Sequence, residues 1–117
     1  MRHEQTQHAF LVAWGWFAEQ IGLLDQLAAV PIKQKTRCHT PQGKILEALV
    51  ATLAGLEHLQ DISRAAHPLD KDTAVAHAWG QAAWADYSGV SRTLSRLTQT
   101  EAQAIVDVLA QVSRPLI

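Results

Sequence analysis

A chain of 117 residues that is 48% hydrophobic has the length and apolar content for one domain with a real core. Its formal net charge of -1, from 10 Lys+Arg against 11 Asp+Glu, announces no polyanion partner at the level of the whole molecule. The single cysteine, Cys38, excludes an internal disulfide and suits a reducing, cytoplasmic setting.

The first helix is expected over about Gln7 to Ile21, where Phe10, Ala13, Trp14, Phe17, Ile21 and Leu24 keep helical spacing and read as its core face. The run "AFLVAWGWFA" is too short to span a bilayer. Glu4 spoils a signal-peptide n-region, and "EQIGLLDQL" offers no small-residue cleavage site. Gly22 is placed to end this helix, and a short second one, about Leu23 to Ala29, stops before Pro31. The segment "PIKQKTRCHTPQG" is polar, basic and bounded by prolines, and reads as a loop. Lys33, Lys35, Arg37 and Lys44 fall in a window, Gln26 to Leu46, without acids. That suits sequence-independent phosphate contacts and a solvated loop equally.

Thr40 before Pro41 is an N-cap with proline at the first helical position. The third helix then puts Ile45, Leu46, Leu49, Val50 and Leu53 on its buried side, up to Gly55. Leu56, Leu59, Ile62 and Ala66 continue as a fourth helix that His67-Pro68 stops. Asp70 or Asp72 caps a fifth, "TAVAHAW", ended by Gly80. Ser88 is read as the cap of the sixth, "SGVSRTLSRL". Thr98 with Glu101 forms a capping box for the seventh, striped by Ile105, Val108, Leu109 and Val112. No alternating strand pattern occurs. The expected fold is all-α: a compact bundle of about six or seven short helices with a helix-turn-helix-like part.

The sixth helix carries the chemistry. Val90, Leu94 and Leu97 share one face, while Ser91, Arg92, Ser95 and Arg96 fill the other, with Ser88 at the start. No acid occurs between Asp86 and Glu101. Like charges four apart cost a helix roughly 0.2–0.5 kcal/mol, and a bound phosphate backbone removes that cost. Serine hydroxyls and arginine forks also contact phosphates and guanine edges. A merely solvated face is the plain alternative. His58, His67 and His77 stand about a helix apart, without the close spacing that structural zinc ligands need, so no metal and no cofactor is expected. The tryptophans read as core, except that Trp84, in the polar break before the sixth helix, stays open for base stacking. No phosphate-binding Gly-rich loop, no G-x-S-x-G elbow and no paired acids suggest catalysis by this chain alone.

Taken in order, Leu53-Ala54-Gly55, Asp61 to Arg64, the aspartate-led Asp70 to Gly80 and the serine-started Ser88 to Leu97 resemble the N-terminal region of bacterial insertion-sequence transposases of the DDE class. The resemblance covers about Gly22 to Val112. It implies a helical DNA-binding module that recognises the terminal inverted repeats of a mobile element. In that family an RNase H-like nuclease domain with three metal-binding acids follows, and this sequence ends where that domain would begin. No catalytic acids are carried over. The partner so implied is double-stranded DNA, with no membrane; separately, the Trp- and Leu-rich first helix offers a candidate dimerisation surface for a second copy of the chain. The rival reading is a helical protein–protein module whose arginines are only solvated.

Overall fold

Capping chemistry sets most of the helix boundaries. The structure is a computed structural model that describes residues 9–34, 39–64 and 68–113. Its elements are α1 (Ala9–Gln20), α2 (Leu23–Ala28), α3 (Pro41–Leu53), α4 (Asp61–Arg64), a 3₁₀ turn (Leu69–Lys71), α5 (Thr73–Ala78), α6 (Tyr87–Ser95) and α7 (Gln99–Ser113). No strand occurs among the described residues. Gly22, at φ +82°, takes the left-handed turn that closes α1 and opens α2. Thr40 Oγ1 accepts the Gly43 N–H at 3.0 Å, with Pro41 at the first helical position. Asp72, rather than Asp70, caps α5 by accepting the Val75 N–H. The capping box of α7 is closed both ways, Thr98 N–H to Glu101 at 3.0 Å and Glu101 N–H to Thr98 at 3.1 Å.

Two packed pairs, α3 with α6 and α1 with α5, carry most of the packing. Helix α6 lies along α3 with α4 beside it, α2 bridges α3 and α7, and α1 rests on α5 and α2. Val50, Ile62, Val75 and Val90 are fully buried where these elements meet, with Leu69 and Trp79. No helix among the described residues is long and apolar enough to cross a membrane.

Three expectations are corrected. Helix α1 turns the other way: Leu11, Gly15 and Ala18 face inward, while Phe10 is 83% exposed and Trp14 and Phe17 are 48% exposed each. Ala13 also lies outside. The cause is Trp79, whose ring fills the space beside α1. A Cβ at Gly15 would stand 2.9 Å from that ring and 2.8 Å from the Ala78 carbonyl oxygen. The fourth helix begins only at Asp61, because its carboxylate accepts the His58 N–H and holds the preceding residues in a turn. Leu56 and Leu59 still pack on the core from that turn. Leu53, expected on the buried side of α3, is 38% exposed.

Candidate nucleic-acid interface

Helix α6 begins two residues earlier than a Ser88 cap predicts. Asp86, not Ser88, is the cap: its carboxylate accepts the Gly89 N–H at 3.0 Å. Ser88 Oγ donates to both oxygens of that carboxylate at 3.1 Å, so its hydroxyl braces the cap from within the first turn. An aspartate three residues before the N–H it binds outcompetes serine here because its charge also meets the positive end of the helix. The Gly89 N–H, then the Ser88 hydroxyl and the nearby Arg92 and Lys44 charges, hold the Asp86 carboxyl below its ordinary range. Asp86→Ala should therefore cost about 1 kcal/mol in a urea melt at neutral pH, and Ser88→Ala clearly less. Equal losses would return the cap to Ser88.

The inward face of α6 is Gly89, Val90 and Thr93. Leu94 and Leu97 are only half-buried, and Thr93 takes the deeper place. Ser91, Arg92, Ser95 and Arg96 are all exposed. Ser95 Oγ is turned back onto the Arg92 carbonyl at 3.0 Å. Both arginines lie toward the negative end of the helix, which is where a purely structural cation also belongs.

The structure brings further cations to α6 from other elements. Lys44, on α3, runs alongside its first turn, with Cε 3.7 Å from where a Cβ on Gly89 would stand. Arg64, at the end of α4, donates to the Tyr87 hydroxyl at 3.2 Å and lies 5.3 Å from the centre of that ring. Arg64 was not among the expected DNA-facing residues, and nothing local to it in the sequence reveals its approach to α6. At the other end, the Gln34 side chain donates to the Thr93 carbonyl and the Lys33 N–H to Glu101, at 3.0 and 2.8 Å. Residues 33 and 34 are thus tied to the α6–α7 corner, with the Lys33 side chain exposed. Lys35 and Arg37 lie outside the described residues.

One sequence reading fails at this site, and one buried group escaped the sequence reading. Trp84 is buried against the core at 6% exposure, so it offers no face for stacking on a base. Glu47, which drew no notice in the sequence, is fully buried on α3. One of its oxygens accepts the Ala85 N–H at 2.8 Å, immediately before the α6 cap. The other has no hydrogen-bond partner among the described residues. Burial, with smaller contributions from the Asp70 and Asp86 charges, pushes its carboxyl up to about 8 against the opposing pull of the Ala85 N–H and Lys44. A neutral carboxyl therefore positions the entry to α6 at neutral pH.

Among the described residues, no three of the His, Cys, Asp and Glu side chains gather in a way that could hold a metal ion. No protein-family model, curated protein or solved structure matches the chain.

Proposed function

We propose that this chain is a double-stranded DNA-binding domain of the insertion-sequence transposase type, which reads the terminal repeats of a mobile element without itself cutting DNA. The observation that carries the reading is the outer side of α6. Arg92 and Arg96 stand on a helix with no acid of its own, seated on α3, and Lys44 and Arg64 approach it from two other helices. Cations from several elements, fixed around one short amphipathic helix, suit phosphate contacts on either side of a groove-bound helix. In this reading α3 is the supporting helix, α6 presents Ser91, Arg92 and Arg96 to the groove, and Lys33 adds a phosphate contact at the far end. Asp86 keeps the first turn rigid at the expense of some positive potential.

The test is a salt titration of binding to a duplex carrying a terminal repeat, against a scrambled duplex of equal length. The Arg92→Ala, Arg96→Ala double variant should fold normally, since exposed changes usually move stability by under about 0.5 kcal/mol. Its binding should weaken, and the salt slope should fall by about one for each phosphate that an arginine no longer neutralises. Where an arginine reads a base, roughly 1–3 kcal/mol of discrimination should vanish at one position. Equal affinity of variant and parent for the repeat would remove the reading.

The exposed rings of α1 favour a second reading, a helical association module, on elements other than α6. The two functions are compatible in one domain.

A further inference from the structure

Helix α1 has two apolar faces and the domain uses one. The inward face, Leu11, Gly15 and Ala18, is fully engaged with the core. The second is the stripe Phe10, Trp14 and Phe17, at helical spacing and exposed by 83%, 48% and 48%. Trp14 and Phe17 wall an open groove of about 490 Å³, floored by Ala18 and Trp79 and closed on its far side by Leu53 and Leu109. Phe10 stands beside this groove and does not line it. One surface therefore offers both a protruding ring and an apolar recess.

We infer that this face pairs with its own copy, α1 against α1 about a two-fold axis near Trp14, with Phe10 of each subunit entering the groove of the other. The inference is independent of the DNA reading. Three observations carry it. First, the spacing fits. An antiparallel pairing centred on Trp14 sets residue 10 of one copy opposite residue 18 of the other, at the edge of the inward face where Ala18, itself buried, lines the groove with a side chain too short to fill it. Each step of four residues is about 6 Å along the helix. Second, charge permits it. A two-fold interface opposes groups near the axis with their own kind, so a charge there meets its own sign. The stripe has none, and Glu19 is the one charged residue of α1. Third, the area suffices. A buried aromatic side chain hides about 150–250 Å², so these rings leave roughly 300–400 Å² in one patch, as large as monomers usually expose. With the leucines of the groove, two copies would cover about 1,000 Å², the threshold for a specific interface.

The experiment is sedimentation equilibrium of the full chain across the micromolar range, without DNA. A dimer is expected. Phe10→Glu should raise its dissociation constant at least roughly tenfold while leaving the circular dichroism spectrum unchanged, since that ring contributes little to the folded subunit. In a Cys38→Ser background, Trp14→Cys should form an intersubunit disulfide under mild oxidation. A monomer at every concentration overturns the proposal. So does a dimer that Phe10→Glu leaves intact, or one in which residue 14 fails to cross-link.

Discussion

Replacing Trp79 by alanine is expected to remove about 3–5 kcal/mol of stability, the range for a large aromatic taken out of a packed core. Trp79 is 2% exposed and donates its indole N–H to the Leu11 carbonyl at 2.8 Å. The ring occupies the space that Gly15 leaves open on α1, so its removal opens a cavity against a helix with no larger side chain to refill it. A domain of this size has about 5–15 kcal/mol in total, so the variant should be partly unfolded at physiological temperature. Trp79→Phe divides the effect. It keeps most of the volume and loses the hydrogen bond, whose net worth is about 1 kcal/mol, because the Leu11 carbonyl keeps its helical partner. Urea melts of both variants give the comparison. A Trp79→Ala loss under about 1 kcal/mol would mean that α1 is not seated on Trp79.

The second large effect is on pH. Between an ordinary carboxylate value in the unfolded chain and about 8 in the fold, Glu47 binds more protons in the native state than in the unfolded one. Stability must therefore fall as pH rises through that interval and level off above it. A separation of this size corresponds to on the order of 3–5 kcal/mol across the window. On the acid side the sign reverses. Asp86 is held low first by the Gly89 N–H, and Glu101 first by the Thr98 N–H and then by that of Lys33. Their contributions are present above the ordinary carboxylate range and are lost as pH drops below it. The stability maximum is thus expected near pH 5. Glu47→Gln keeps an oxygen for the Ala85 N–H and has no proton to lose, so it should flatten the fall toward alkaline pH and leave the acid limb unchanged. Denaturation midpoints at a series of pH values decide this, and an unchanged alkaline slope in the variant would place the titrating group elsewhere.

Helix existence was legible wherever local chemistry writes a boundary. Thr40-Pro41, Asp72, Gly22 and the Thr98–Glu101 pair all act within four residues of the backbone groups they serve, and all perform as their types predict. The faces of the helices were less legible. Phe10-Trp14-Phe17 and Leu11-Gly15-Ala18 both keep helical period, and size favours the first. What selects the second is Trp79, more than sixty residues along the chain. The α6 cap was misplaced because Ser88 and Asp86 are both good caps, and only the geometry of Gly89 chooses between them. The exposed places of Ser91, Arg92, Ser95 and Arg96 followed from the period. The approach of Arg64 and Lys44 did not, since tertiary packing alone delivers them. Glu47 left a usable signal: Gly43, Glu47 and Val50 form one stripe of α3, and all three are buried. A carboxylate in register with core positions marks a buried polar group.

The hydrogen bond from Trp79 to Leu11 also bears on the order in which the molecule assembles. It joins residues 68 positions apart, and α1 has neither an acid in its first turn nor a base in its last to support it alone. Pairings of such separation must wait until the intervening chain has given up most of its freedom. Helices α3, α5, α6 and α7 carry their own side-chain caps and can form earlier. Helix α1, lacking such support, is expected to settle late, onto the Trp79 surface it rests on, so that its unpaired aromatic stripe takes its outer place only then.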